Sequence, residues 1–314
     1  MLDIESLTPR EALGKALADL GDLRSDVVVL VADTGETTRA KLFAERHPER
    51  FFNVGIAEQS LVGIAAGLAL AGFMPYALTF AAFMTRGWEQ ARNSVDRLAL
   101  PVRLVGTHAG FADAYDGPSH QALEDIALFR VLPNFTVMAP ADSCEVYKAV
   151  TASATLKGPA YIRVGRDFHI PVTCGLYDKF EIGKAYVVLD GSDVAIFTTG
   201  VVLPFAIEAA QFLKDRGISA AVVHFPTIKP LDYAAVEKYA SVTGAVLTVE
   251  EHMVYGGFGS AIAEYLSQTR PTKMAIMGLK SYGRTAKSPQ ELYQYFGLTP
   301  ENIAARAEEL VKLK

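Results

Sequence analysis

Cysteine is scarce in this chain: Cys144 and Cys174 are the only two in 314 residues. They form no CxxC pair, which excludes the common zinc-finger and dithiol redox spacings, and no metal ligands are assigned. A reduced, cytoplasmic chain is expected. No secretory signal is expected in MLDIESLTPREALGKAL, which carries acidic residues and no apolar core. Runs of one charge are absent. Thirty Lys and Arg face 35 Asp and Glu, interspersed, for a net charge of -5. No basic stripe suits nucleic acid and no polybasic cluster suits an anionic membrane. Charged residues total 21% while half the chain is apolar, a tilt that fits burial against partner chains. Charge disappears altogether from Leu61 to Met84, a run long enough to cross a bilayer. Gly63, Gly67, Gly72 and Pro75 break that run into a small-residue helix and a short strand, PYALTF. A buried helix, turn and strand is the expected reading.

The apolar residues are ordered in alternation. Thr8, Pro9 and Glu11 predict a capped first helix with a capping box. VVVLVA (Val27–Ala32) is a continuous apolar run, as in a strand covered on both faces. Further strands are expected at FFNV, PYALTF, VRLVG, FTVMA and AYIRV, with helices over 57–71, 82–97, 122–130 and 142–155. The pattern lapses near 172–192 and then resumes with DVAIFTT, AAVVHF, AVLTVE and KMAIMG between further helices. The expected fold is α/β, with two doubly wound domains over residues 1–180 and 181–314, the first with a mostly parallel sheet and the second smaller.

Several residues invite a chemical reading. Glu58 stands where a strand gives way to an apolar helix, a setting that raises a carboxylate's pKa and fits proton exchange with a ring nitrogen. An ordinary acidic helix start explains it equally. Phe80, Phe83 and Arg86 share one helical face, where two phenyl rings suit a flat heterocycle or plain core packing. His108, Asp116 and His120 lie on a Gly- and Pro-bearing stretch after a strand, the edge at which doubly wound sheets bind ligands. Such a trio suits sugar hydroxyls or phosphate, a metal less so, and a solvated loop is the bland alternative. Arg10, Arg163 and Arg166, with the hydroxyl of Thr37, offer phosphate-binding groups. A lone Arg is more often a solvated or ion-paired surface residue.

Together GIAEQ, TFAAF, DGPSHQALEDIALFRVLPN, PAD and TVEEHMVYGGFGSAIAE resemble the C-terminal half of the transketolase family, over nearly the whole chain. The resemblance implies a thiamine-diphosphate pyrimidine-binding domain followed by the family's C-terminal domain. It assigns Glu58 to N1′ of the cofactor's aminopyrimidine, where it promotes deprotonation of the thiazolium, and Phe80 and Phe83 to the pocket around that ring. It places Asp33 near the cofactor and the subunit interface, and Arg86 beside the cofactor. Arg10, Thr37, His108 and Arg166 fall on residues that hold the sugar phosphate, Asp116 on a hydroxyl-recognising carboxylate, and His120 on a second channel histidine. His108 and His120 take catalytic positions with Glu58.

Three departures qualify the match, the mildest being Thr37, which stands where a serine is common and keeps the hydroxyl. Arg86 replaces an aromatic residue frequent in transketolases and is familiar from deoxyxylulose-phosphate synthases. No GDG with a downstream Asn exists; LDGSD at 189–193 is not one. The resemblance therefore implies a split transketolase, with the Mg²⁺ and diphosphate ligands on a separate N-terminal subunit, in an α2β2 complex acting on sugar phosphates. A 1-deoxyxylulose-5-phosphate synthase-like subunit, a 2-oxo-acid dehydrogenase β-subunit and a non-catalytic partner chain are the alternatives.

Overall fold

A computed structural model describes residues 4–314. Its first half runs α1 (Pro9–Leu23), β1 (Val27–Val31), α2 (Lys41–Arg46), β2 (Phe51–Asn53), α3 (Glu58–Leu70), β3 (Met74–Phe80), α4 (Ala81–Met84), α5 (Trp88–Gln90), β4 (Arg103–Thr107), α6 (Asp125–Arg130), β5 (Thr136–Met138), α7 (Ser143–Ser153) and β6 (Ala160–Arg163). The second half runs β7 (Tyr186–Leu189), β8 (Val194–Thr198), α8 (Leu203–Asp215), β9 (Ala220–His224), β10 (Thr227–Lys229), α9 (Tyr233–Thr243), β11 (Ala245–Met253), α10 (Phe258–Thr269), β12 (Lys273–Leu279), α11 (Pro289–Phe296) and α12 (Pro300–Lys312).

The strands form two α/β sheets, ordered β10-β5-β6-β4-β3-β1-β2 and β12-β11-β8-β9-β7. All ladders are parallel except β10 on β5 and β7 on β9. The continuous apolar runs are the central strands: β1, β4, β6, β8 and β9 are buried at every residue because helices cover both faces. The capping box forms as expected, with Thr8 accepting from the Glu11 amide and Glu11 from the Thr8 amide. The charge-free run becomes α3, a turn and β3, and among the described residues no helix is long and apolar enough to cross a membrane.

Three features depart from the sequence reading. The helix expected over 82–97 is a chain of short pieces: α4, a 3-10 turn, α5 and a π-helix over Ala91–Asp96. β10 lies in the second half of the chain yet edges the first sheet. The cysteines are paired: Cys144 at the start of α7 and Cys174 in the connecting segment form a disulfide, their Cα atoms 5.1 Å apart. The expectation of free thiols is corrected, because the connection folds back across α7 and thirty residues of sequence separation become one contact. Asp142, the cap of α7, secures the same segment by accepting from the amides of Val172 and Thr173, both at 2.7 Å.

A buried ionic cluster joins the sheets. Arg163, ending β6, meets Asp125 of α6 at 3.0 Å and Glu251 of β11 at 3.1 Å. Tyr161 donates to Asp125 at 2.7 Å, while Tyr293 of α11 and the Phe111 amide donate to Glu251 at 2.6 and 2.9 Å. Burial opposes the charge on Arg163, but the two carboxylates outweigh it and raise its pKa. Gly110 must remain glycine beside this cluster: its φ is +67°, and a Cβ would lie 1.7 Å from Glu251 Oε2.

Candidate active site

The first sheet delivers polar groups to the carboxyl ends of its strands. Asp33 follows β1, Glu58 opens α3 after β2, Phe80 ends β3, His108 follows β4 and Arg166 follows β6. This is the edge at which ligands meet doubly wound sheets.

A cavity of about 260 Å³ is lined by Ala32, Asp33, Thr34, Ile56, Glu58, Phe83 and Arg86. Glu58 is 7% exposed, and no described residue hydrogen-bonds its carboxylate. Its helix start is confined by Gly87, where a Cβ would sit 2.8 Å from Val62 Cγ2 and 3.0 Å from the Glu58 carbonyl. Asp33 has φ +57°, uncommon for a residue with a Cβ. Asn53 holds it there, accepting from the Asp33 amide and donating to Asp33 Oδ1, each at 3.0 Å. The sequence reading missed Asn53; its one signal was its place in the expected strand FFNV, since the pairing with β1 is seen only in the fold.

Beside the cavity stand four rings. Phe80 stacks on His108 with centroids 3.7 Å apart and on Phe83 at 5.1 Å. His120 meets Phe83 edge-on at 5.1 Å. Thus Phe80, Phe83, His108 and His120 converge in one cluster of rings. His108 is 2% exposed with φ +55°, and its Nδ1 lies 2.9 Å from Thr107 Oγ1. Burial, then the nearby Arg10 and Arg166, pull its pKa down to about 3. It is therefore a neutral hydrogen-bonding group at pH 7.

The third cluster contains Arg10 and Arg166. Arg10 Nε and Nη2 donate to Asp167 Oδ1, the former at 3.1 Å, and Nη1 donates to the Thr37 carbonyl at 2.7 Å. Arg166 Nη1 donates to Asp113 Oδ1 at 2.9 Å, and its Nε lies 3.4 Å from Asp167 Oδ2. Thr37 contributes its carbonyl to Arg10 while its hydroxyl donates to the Thr34 carbonyl. Asp116 is exposed on the loop. Burial and then Asp116 push Asp113 above the usual carboxylate range, against the pull of Arg166. Asp113 and Asp167 were not singled out in the sequence. Arg163, offered above as a phosphate ligand, is instead consumed by Asp125 and Glu251.

The geometry fits one end of an extended cofactor. An open carboxylate and a phenyl face at a small cavity suit an aminopyrimidine. A diphosphate with its divalent cation calls for several oxygen ligands. Among the described residues, the one group of three potential ligands is Asp142, Cys144 and Cys174. Its sulfurs are bonded to each other and its carboxylate is spent on the connecting segment.

Comparison with known proteins agrees over both halves of the chain. Residues 5–168 match the transketolase pyrimidine binding domain and residues 183–303 the transketolase C-terminal domain. The chain is 41% identical to a transketolase C-terminal section of Methanocaldococcus jannaschii, covering 96% of each. It is 35% identical to a 6-deoxy-6-sulfo-D-fructose transketolase subunit of Clostridium sp. (strain MSTE9), covering 92% of this chain and 89% of that one. A solved split-gene transketolase, an inactive β4 tetramer, superposes with a TM-score of 0.89 at 42% identity, covering 98% of this chain and 100% of that one. The chain belongs to the transketolase family, as a C-terminal section that carries the pyrimidine-binding and C-terminal domains.

Proposed function

We propose that this chain is the catalytic-glutamate subunit of a split transketolase that moves a two-carbon ketol unit between sugar phosphates. The observation that carries the reading is the placement of Glu58 in the cavity beside the Phe80–His108 stack and the Arg10–Arg166 pair, along one sheet edge. Thiamine diphosphate, when bound, supplies a carbon nucleophile able to hold the two-carbon unit. Glu58 holds a proton against the ring nitrogen of the aminopyrimidine, and Phe83 packs on the ring. Asp33 and Arg86 line the same cavity and orient the cofactor. His108, neutral, and His120 hydrogen-bond the reacting end of the sugar; Asp116 binds a hydroxyl; Arg10, Thr37 and Arg166 surround the distal group.

A separate N-terminal subunit supplies the Mg²⁺ and diphosphate ligands, and the working assembly is α2β2. The solved split-gene neighbour, inactive as a β4 tetramer, supports this dependence. We further propose the division at residues 1–180 and 181–314, pentose phosphates as the default substrates, and a cytoplasmic location suited to phosphorylated sugars.

The decisive assay is ketol transfer from xylulose 5-phosphate to ribose 5-phosphate, with thiamine diphosphate and Mg²⁺. It is run with this chain alone and with a GDG-bearing partner. Activity only in the mixture is expected. Activity of this chain alone overturns the division of the site. Pyruvate-dependent carbon dioxide release in place of ketol transfer identifies a decarboxylating synthase.

A further inference from the structure

We propose that Asp167 is a specificity-determining counter-ion: it competes with the substrate's distal group for Arg10 and Arg166 and so lowers the preference for a dianionic phosphate relative to uncharged or singly charged groups. This rests on the ketol-transfer reading for its substrate and not for its electrostatics. The guanidiniums of Arg10 and Arg166 are not poised as a free cationic pair. Every nitrogen of Arg10 is engaged, two with Asp167 and one with the Thr37 carbonyl. Arg166 is held by Asp113 and lies 3.4 Å from the other oxygen of Asp167. Two cations thus face two carboxylates, and His108 adds no charge at neutral pH.

The carboxylates play different parts. The Asp113 side chain is 1% exposed and anchors Arg166 from beneath. That of Asp167 is 47% exposed and bridges both arginines from the solvent side. An incoming anion approaches from that same side. A neutral terminus leaves the Asp167 bridge intact. A monoanion such as a sulfonate shares the arginines against one repulsion, and a phosphate dianion meets twice that repulsion. Bidentate arginine geometry favours any tetrahedral oxyanion. Asp167 therefore sets the charge preference without abolishing anion binding.

The test is Asp167→Asn in the full chain with its diphosphate-binding partner. The substitution keeps size and a hydrogen-bonding oxygen at a half-exposed site. Donor kcat/KM is measured for xylulose and xylulose 5-phosphate with glycolaldehyde as common acceptor, and for 6-deoxy-6-sulfofructose and fructose 6-phosphate. The variant is expected to raise the phosphate-to-neutral preference about tenfold, through KM, and the sulfonate preference by less. An unchanged or lowered phosphate preference overturns the proposal and makes Asp167 an orienting support for Arg10. Calorimetric titration with inorganic phosphate at pH 8 gives a readout independent of turnover. Asp167→Asn should bind it about tenfold tighter; equal or weaker binding is equally decisive against the proposal. Absence of ketol transfer with every sugar counts against the functional reading alone, since the phosphate titration still decides the role of Asp167.

Discussion

Replacing Glu251 with alanine should loosen the joint between the sheets. Glu251 belongs to β11 of the second sheet, yet its carboxylate pairs with Arg163 of the first. It also accepts from Tyr293 and from the Phe111 amide, and is 3% exposed. Breaking a buried pair by removing one partner costs about 3–5 kcal/mol, because the remaining charge loses its compensation. Arg163 keeps Asp125, which moderates that cost. Two buried donors lose their acceptor, at roughly 1–3 kcal/mol each where water does not replace it. These contributions overlap, so about 4 kcal/mol is a reasonable total. At roughly 2–4 °C per kcal/mol for a chain of this size class, the melting temperature should fall by about 10 °C. Differential scanning calorimetry of the full chain reads the shift and tests a second consequence: the joint lies between sheets, so its loss should split unfolding into two transitions. Glu251→Gln, which keeps an acceptor but not the charge, should fall between. A single transition displaced by less than about 2 °C would refute the assignment of this cluster as the joint.

Other perturbations reach the site and its supports. Glu58→Gln should lower ketol transfer by the margin of a lost acid–base group, about 10²–10⁴-fold, with far-ultraviolet dichroism unchanged; near-normal turnover in the reconstituted complex contradicts the proton role. His108 has a depressed folded pKa, so the unfolded chain binds the extra proton between its ordinary value of 6.5 and about 3. Its contribution is fully present above pH 6.5 and is lost as pH falls, by about 2 kcal/mol at pH 5. His108→Asn should therefore show a shallower acid loss in denaturant midpoint than wild type, and parallel curves count against the buried neutral imidazole. Closing a thirty-residue loop stabilises by up to about 4 kcal/mol through the unfolded state. Cys174→Ser should accordingly lower the denaturant midpoint, and an unmoved midpoint in an oxidised sample shows that Asp142 alone secures the connection.

What could be read from the sequence separates from what could not by the range of the interaction involved. The capped first helix depends on Thr8, Pro9 and Glu11 within one turn, and the buried strands on uninterrupted apolar runs; both are local and both appeared where expected. The placement of Glu58, Phe80 and Phe83 at one sheet edge was legible because each lies at or next to a strand's carboxyl end, and the resemblance gave the surrounding short motifs a common destination. Charge compensation is different, since a guanidinium looks the same in sequence whether it faces a substrate or a buried acid. Arg163 and Arg166 stand three residues apart on one segment, yet the first turns inward to Asp125 and Glu251 and the second outward to Asp113 and Asp167. Only Asp167 is adjacent in sequence to either; the other partners come from α6, β11 and the loop after β4. The same holds for the motif TVEEHMVYGGFGS: Glu250 accepts from the Phe258 and Gly259 amides at the start of α10, while Glu251 reaches across to the first sheet. Two consecutive glutamates on one strand point to opposite faces, so one terminates its own domain's helix and the other joins the two sheets. A sequence signature of this kind therefore encodes an inter-sheet joint through strand alternation, and that joint holds Gly110 against Glu251, two residues from His108 on the loop that brings His120 to the ring stack.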